Sequence, residues 1–259
     1  MLAMCVQAQV VATDDYESPY TTPNGSAGDI SYGYNGGSGF GALTYVSGTA
    51  GGVFAVNNAS TGGRQLDGNQ SLGEFSGGNS QVAGRTLNSP LSIGNFSFDA
   101  RWDISNTNNA FTGLNIDTAL GSGLGANELL SFGLTSTNGN GSFLITDSTG
   151  THSVSVGTDN ELRGGSFHFS INFNTTSGAY TLTITDNSNG QTGTESGSLD
   201  STGTGVGAFK LGNLDTDSGT QNLIVDNTVF SAVPEPSSLA LLGGSSILIA
   251  FFFLRRRKA

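Results

Sequence analysis

Alternation of apolar and polar residues is the feature that most constrains the fold of this chain. Residues 96–104 read FSFDARWDI, with an apolar side chain at every second position. A period of two is typical of a β-strand with one face against a core. Residues 167–173 and 180–184 repeat the pattern on either side of a Thr-Thr-Ser-Gly turn, which predicts a long hairpin with one apolar face. Weaker strands are expected at 129–135, 142–146, 153–156, 206–211 and 222–231.

Composition agrees with an all-β fold that has many loops. The chain has 40 glycines and only 11% charged residues, while Val, Ile, Phe and Thr fill the strand-like runs. The 16 phenylalanines supply the apolar area that a disordered Gly/Ser-rich chain lacks. No break in composition divides the body, so we expect one domain at about 14–231.

The charge excludes nucleic acid as a partner. The net charge is −11, and four of the nine basic residues lie in the last five positions. A phosphate backbone requires a basic surface, whereas the body between the two ends is strongly acidic. We expect a solvated acidic exterior, with cation-mediated association with a polysaccharide matrix as the alternative. The single cysteine, Cys5, lies in the expected leader, which excludes disulfides and thiolate metal sites from the body.

The two ends have the composition of targeting segments. Residues 1–8 are short and apolar, with small residues around Ala8, and predict a partial or atypical signal peptide without a basic n-region. At the other end, Pro234, Glu235 and Pro236 precede an apolar run at 239–254 of about 24 Å as a helix. A single C-terminal transmembrane helix is predicted there, short for a bilayer. A basic cluster follows and would remain in the cytoplasm; it consists of Arg255, Arg256, Arg257 and Lys258.

This three-part tail resembles the PEP-CTERM sorting signal of Gram-negative bacteria that make exopolysaccharide. The resemblance covers 233–259 and includes the intact Pro-Glu-Pro triplet, the serines after it and the terminal arginines. It implies recognition by an exosortase-type processing enzyme that cleaves near the triplet. The protein would be anchored transiently in the inner membrane and then reach the cell surface or the extracellular space. An ordinary, permanent membrane anchor is the alternative.

The body is similar to a recurrent type of PEP-CTERM ectodomain. Three local patterns carry this similarity: N-G-G-S-G-F-G at 35–41, S-x-G-x-F at 71–75 and V-D-N-x-x-F at 225–230. The last pattern is similar to the closing strand of concanavalin-A-like jelly rolls. The resemblance implies an all-β, two-sheet jelly-roll (concanavalin-A/lectin-like) sandwich with neighbouring termini. It implies no function, since that fold hosts lectins, adhesins, glycanases and structural modules.

Catalytic patterns in the body are weak. The two histidines, His152 and His168, have no G-x-S-x-G elbow beside them and are expected at the surface. Asp99 and Asp103 flank Arg101 on the polar face of one strand, where a glycanase could place paired carboxylates. The E-x-D-x-x-E pattern of jelly-roll glycanases is missing, however, and a local ion pair is the simpler interpretation. We expect a protein that is not an enzyme.

No cofactor is expected, with calcium as a weaker hypothesis. Asp215 and Asp217 stand two apart before a turn glycine, and Asp226 follows eleven positions after the first, so these three are candidate ligands. An EF-hand loop would have glycine at the sixth position and usually glutamate at the twelfth, where this chain has Thr220 and aspartate. An ordinary turn rich in aspartate is the alternative.

Exposed aromatic residues would favour sugar binding. Trp102, the only tryptophan, lies on the apolar face of its strand and is expected in the core. Five tyrosines lie in the glycine-rich N-terminal part: Tyr16, Tyr20, Tyr32, Tyr34 and Tyr45. They would form either a platform on which sugars stack or packing contacts within loops.

Taken together, the sequence predicts an exported cell-surface or matrix protein with a structural or adhesive role in exopolysaccharide or biofilm. Its expected partners are an exosortase, the membrane before processing and, as a further hypothesis, exopolysaccharide. A glycan-acting hydrolase is the alternative from a different functional class.

Overall fold

The computed structural model describes residues 8–16, 35–48, 51–57, 66, 70–77, 80–104, 111–124, 128–135, 142–157, 162–213 and 220–233. These residues form antiparallel strands and turns. The strands are β1 (Gln9–Asp14), β2 (Thr44–Gly48), β3 (Gly51–Asn57), β4 (Gln70–Gly77), β5 (Gln81–Leu91), β6 (Ile93–Ile104), β7 (Phe111–Asp117), β8 (Glu128–Thr135), β9 (Ser142–Asp147), β10 (Gly150–Ser155), β11 (Ser166–Asn174), β12 (Ala179–Asp186), β13 (Thr192–Ser198), β14 (Val206–Asn213) and β15 (Thr220–Ala232).

The strands form a jelly-roll sandwich of two antiparallel sheets, which confirms the predicted fold class. The eight-stranded sheet has the order β13-β12-β11-β6-β15-β4-β3, and β1 also pairs with β15. The seven-stranded sheet has the order β10-β9-β8-β7-β14-β5-β2. Gln9 pairs with Ala232, so the two ends of the described body are neighbours, as the resemblance implied. Strand β1 begins upstream of the predicted boundary at 14.

The strong alternation at 96–104 produces the centre of the core. Phe98 of β6 stacks on Phe169 of β11 with ring centroids 4.9 Å apart, and on Phe132 of the opposite sheet at 5.5 Å. Trp102 is fully buried, as predicted, and its indole N–H donates to the Thr112 carbonyl oxygen of β7 at 2.8 Å. The apolar faces of the two sheets therefore form one aromatic core, in which each buried phenylalanine contributes about 1.5–3 kcal/mol.

The N-G-G-S-G-F-G pattern has a structural role in the body. Gly37 and Gly39 adopt positive φ angles of 70° and 77°, and a Cβ at Gly39 would lie 2.0 Å from the Val11 carbonyl oxygen of β1. Only glycine allows this close approach. The segment then surrounds Arg85 of β5, whose Nη2 donates to the Gly36 carbonyl oxygen at 2.8 Å. The pattern thus joins β1 to the seven-stranded sheet.

Candidate functional site

A groove lies on the outer face of the seven-stranded sheet, across β7 to β10. Its volume is about 320 Å³, at the lower end of the range for small-molecule sites of about 300–1,000 Å³. The described side chains that line it are Phe111, Asn115, Leu124, Glu128, Ser131, Thr135, Leu144, Thr146 and Thr151. Hydrogen-bonding groups and small apolar patches therefore alternate along one concave surface.

Strand register explains why the polar groups converge. Asn115 pairs with Ser131, Ser131 with Thr146, and Thr146 with Thr151. Since paired residues of adjacent strands lie on the same face, these four side chains form a polar row across β7, β8, β9 and β10. The hydroxyls of Thr146 and Thr151 are 3.0 Å apart and share a hydrogen bond. The row could offer donors and acceptors to a ligand rich in hydroxyl groups.

A pair of glycines lowers the floor of the groove next to this row. Gly113 and Gly133 pair across β7 and β8, and a Cβ on either would lie 2.7 Å or 3.0 Å from Cζ of Phe111. The phenyl ring therefore covers backbone that has no side chains of its own, a known way to stabilise paired glycines. This arrangement presents one aromatic surface inside the groove.

The segment 118–124 leaves β7 and folds over the outer face of the sheet. Leu120 packs on Gly84, where a Cβ would lie 2.6 Å from Cδ2 of the leucine. Lys210 of β14 is fully buried below the segment and donates to the Gly123 carbonyl oxygen. Its Nζ lies 3.4 Å from Oδ2 of Asp117, which is also fully buried. The segment thus lies over a buried ion pair and supplies Leu124 to the groove wall.

The carboxyl groups of Asp117 and Glu128, at the end of the groove near Leu124, have raised pKa values. Burial raises the pKa of Asp117 to about 8, against the opposite effect of Lys210. Its contact with Lys210 is an ion pair at 3.4 Å, and neither oxygen accepts a hydrogen bond of normal geometry from the described residues. Glu128 pairs with Asp117 across β7 and β8 and lines the groove, half-buried. Burial also raises the pKa of Glu128, while a hydrogen bond from Ser131 and the charge of Lys210 lower it.

The sequence-predicted carboxyls Asp99 and Asp103 lie on the outer face of the other sheet. Oδ1 of Asp99 is 2.9 Å from Nδ1 of His168, and its Oδ2 accepts from Asn227 at 2.9 Å. Burial alone would raise the pKa of Asp99, but these hydrogen bonds lower it below its ordinary value. Asp103 accepts from Nε of Arg101 at 3.0 Å, which is the expected local ion pair.

Spacing along β6 also separates these two acids. Four residues of a strand span about 13 Å, because each residue advances the chain by about 3.3 Å. A retaining glycosidase places its carboxyls about 5–5.5 Å apart and an inverting one about 6.5–9.5 Å apart. The Asp99/Asp103 face therefore has the arrangement of a hydrogen-bonded surface network.

Both histidines lie at the surface, as predicted. The side chain of His168 is 44% exposed and that of His152 is 37% exposed. The hydrogen bond with Asp99 raises the pKa of His168. His152 contacts Asp147 at 3.2 Å, and this carboxylate also accepts from the Tyr180 hydroxyl at 3.0 Å.

The calcium hypothesis stays a prediction. Asp215 and Asp217 lie outside the described residues, while Asp226 is buried on β15. Its Oδ2 accepts from Oγ of Ser71 at 2.8 Å and its Oδ1 from the backbone N–H of Asn227 at 2.8 Å, so protein donors reach both oxygens. In the described part of the chain, no group of three or more His, Cys, Asp or Glu side chains has the geometry of a metal site.

The tyrosines do not form one platform in the described regions. Tyr16 is buried in the core, and its hydroxyl lies 3.1 Å from Oγ1 of Thr228. Tyr45 is 44% exposed on β2. Tyr20, Tyr32 and Tyr34 lie outside the described residues.

The groove residues were not singled out from the sequence. In the sequence, Glu128, Asp117 and Lys210 belong to no recognisable motif. These residues come from β7, β8 and β14, so only the pairing of distant strands brings them together. A weak local signal exists in FTGLNID and ELLSFGLT, where polar residues and glycines alternate with core residues.

The sorting triplet Pro234, Glu235 and Pro236, the apolar run and the basic cluster at 255–258 lie outside the described residues. Among the residues that the structure does describe, there is no helix long and apolar enough to cross a membrane. The predicted transmembrane helix at 239–254 stays a prediction.

A match to a known protein-sorting motif identifies this tail. The PEP-CTERM protein-sorting motif matches residues 232–258. This chain carries a PEP-CTERM sorting signal. The PEP-CTERM signal marks an exported protein that is sorted to the cell surface, in agreement with the expectation from the Pro-Glu-Pro triplet and the terminal arginines.

Solved structures with a similar fold include plant lectins. Lectin II from Ulex europaeus is 10% identical and aligns over 80% of this chain and 100% of its own, with a TM-score of 0.48. The globular domain of T. cruzi calreticulin is 8% identical over 74% of this chain and 83% of its own, with a TM-score of 0.46. Arcelin-5 from Phaseolus vulgaris is 8% identical over 74% and 92%, with a TM-score of 0.42. The curated proteins contain no significant match to this PEP-CTERM chain.

Proposed function

We propose that this PEP-CTERM protein is a non-enzymatic component of the cell surface or extracellular matrix that binds exopolysaccharide through the groove on its seven-stranded sheet. The observation that supports it is the polar row Asn115–Ser131–Thr146–Thr151 inside a concave surface that also carries the Phe111 ring. Hydroxyl and amide groups hydrogen-bond to sugar hydroxyls, and apolar patches cover the C–H faces of sugar rings. A few oriented polar groups in a largely apolar cleft are typical of ligand sites.

The positions of the carboxyl groups near the groove agree with binding of a glycan without its hydrolysis. Hydrolysis needs two carboxyls that reach the glycosidic bond. Glu128 lines the groove, but Asp117 is fully buried under the segment 118–124 and bound to Lys210. The alternative function, glycan hydrolysis, would require this segment to open and expose Asp117 as the acid.

A matched pair of tryptophan substitutions tests the site. Thr151→Trp fills the groove, whereas Thr194→Trp places the same side chain on exposed strand β13 of the other sheet. We expect T151W to lose retention on polysaccharide resins and T194W to keep it. Equal retention of both variants, or no retention of the wild-type chain, would contradict the proposal.

The same panel of polysaccharides separates binding from catalysis. Release of reducing sugar by the wild-type chain, lost in Glu128→Gln, would support the hydrolase instead. Retention without release supports the binder.

We further propose that an exosortase-type enzyme removes the tail after transient anchoring in the inner membrane. The PEP-CTERM motif at 232–258 supports this step. Mass spectrometry of the mature protein would then find a C-terminus near Pro234–Pro236. An intact arginine end on surface material would support a permanent anchor instead.

A further inference from the structure

We infer that the groove selects its glycan by charge and that Glu128 sets the preference. The groove binds a glycan segment with a free amino group best, a neutral segment less well and a uronate least. The inference rests on the proposed function, since it names the ligand class of the same groove.

Glu128 is the charged side chain among the described residues that line the groove. It begins β8, is half-buried, and lies beside Ser131 in the lining, whose hydroxyl lowers the pKa of Glu128. A carboxylate has room for about four hydrogen bonds, so it keeps acceptor capacity for a ligand. A charge-assisted hydrogen bond to an ammonium group is roughly twice as strong as a neutral one, which favours an amino sugar at this end.

The nearby cation is held away from the ligand. Lys210 is fully buried behind the segment 118–124, and its ammonium group is bound by the Gly123 carbonyl oxygen and by Asp117 at 3.4 Å. A uronate in the groove would therefore meet Glu128, and none of the described lining residues is a cation. Like charges brought together in a partly dehydrated interface disfavour binding of that ligand.

Charges outside the lining act on Glu128 in both directions. The buried ammonium group of Lys210 lowers its pKa and the negative charge of Asp200 raises it. Over the described sequence, Arg85 is buried in the N-terminal contact and Arg101 pairs with Asp103 on the other sheet. Neither these two guanidinium groups nor that of Arg163, just before β11, is a lining group of the groove.

The test measures affinities of the full chain, kept in a non-ionic detergent, for three oligosaccharides of matched length. The probes are a chitosan oligosaccharide with free amino groups, a neutral cello-oligosaccharide and an oligogalacturonate. We expect the affinity to fall in this order for the wild type. Glu128→Gln keeps the shape of the side chain and should lower the affinity for the amino-sugar probe on the order of tenfold, with little change for the neutral probe.

Two further variants complete the test. Glu128→Lys should reverse the order and favour the oligogalacturonate, whereas Glu195→Gln, on edge strand β13 of the other sheet, should change none of the three affinities. Emission of the buried Trp102 reports whether each variant keeps its fold.

The outcomes separate the two proposals. Binding with the uronate equal or preferred, or with an order that Glu128→Gln leaves unchanged, overturns the charge selection while polysaccharide binding stands. Binding of no glycan of any charge overturns polysaccharide binding and the charge selection with it.

Discussion

Glu74 of β4 is fully buried, and neither of its carboxylate oxygens forms a hydrogen bond with the described residues. It pairs with Leu223 of β15, which in turn pairs with Trp102, so its side chain points toward the core. Burial raises the pKa of Glu74 well above its usual 4.5. An ionised carboxylate at this position would be costly, because no opposite charge among the described residues compensates for the loss of water.

Replacing Glu74 by glutamine should stabilise the protein at neutral pH. Because the folded-state pKa of Glu74 lies above the unfolded value of 4.5, its contribution to stability is present below pH 4.5 and is lost as the pH rises. The variant E74Q should therefore match the wild type at pH 4 and exceed it by about 1–3 kcal/mol in the free energy of unfolding at high pH. Urea denaturation at pH 4 and at high pH, followed by Trp102 fluorescence, measures the free energy of unfolding of each protein. A constant difference across the pH range would contradict the assignment.

Arg85 shows the opposite case, a buried charge with several partners. Its guanidinium donates to Asp14 and to the carbonyl oxygens of Gly36 and Gly41, and lies 4.7 Å from the centre of the Phe40 ring. The glycine-rich pattern at 35–41 is thus explained by the need to bring backbone carbonyls close to one side chain.

Removing the Arg85 charge should therefore destabilise the sandwich strongly. Arg85→Met leaves Asp14 buried without its counter-ion, and we expect a loss of about 3–5 kcal/mol in the free energy of unfolding. The double variant with Asp14→Asn removes both charges and should recover part of this loss. A single-variant cost below about 1 kcal/mol in chemical denaturation would show that the ion pair has no structural role.

At the level of strands, the groove depends on the glycine pair of β7 and β8. A methyl group at Gly133 would lie 2.2 Å from the Thr112 carbonyl oxygen and 3.0 Å from Cζ of Phe111. Gly133→Ala should cost about 1–3 kcal/mol, displace the phenyl ring and weaken retention on polysaccharide.

Gly123→Ala is the matched control, because its new methyl group meets nothing nearer than Oγ of Ser47 at 3.6 Å. Its stability should stay within about 0.5 kcal/mol of the wild type. Thermal denaturation and retention on resin, measured on both variants, check this comparison. Equal effects of the two substitutions would mean that the paired glycines have no special importance.

The sequence predicted strands where one face is apolar and the other polar. Runs around Phe98, Phe169 and Leu182 became β6, β11 and β12 with the predicted faces. It did not predict β7, which is buried on both faces because the segment 118–124 and the Phe111 ring cover its outer side. Strand β13 was also missed, since TGTESGS has no apolar residue and forms a polar edge. The groove itself was beyond local patterns, because it needs the register of β7 to β10.

At the scale of the whole molecule, the described body ends where the sorting motif begins. Strand β15 ends at Ala232, where it pairs with both Gln9 and Gly94. The backbone N–H of Val233 still donates to the Ile93 carbonyl oxygen at 3.4 Å. The motif at 232–258 begins where this pairing ends, so a processing enzyme could cut beyond Val233 without breaking a described strand.

This arrangement predicts that residues 9–233 fold without the tail. The shortened chain should keep the buried-type emission of Trp102 and the denaturation midpoint of the full chain in detergent, because all described strands lie within it. A chain that ends at residue 229 is the matched control. It lacks Phe230, which is fully buried and stacks on Phe96 at 4.2 Å, and the Ala12–Phe230 pairing that holds β1.

Loss of a buried phenylalanine costs about 3–5 kcal/mol, a large share of the 5–15 kcal/mol that stabilises a typical domain. The 9–229 chain should therefore unfold at a much lower urea concentration than the 9–233 chain, although the two differ by four residues. If both behave alike, the end of β15 does not hold the sandwich together. If both are unfolded, the fold needs residues outside 9–233, and the described strands do not form an independent body.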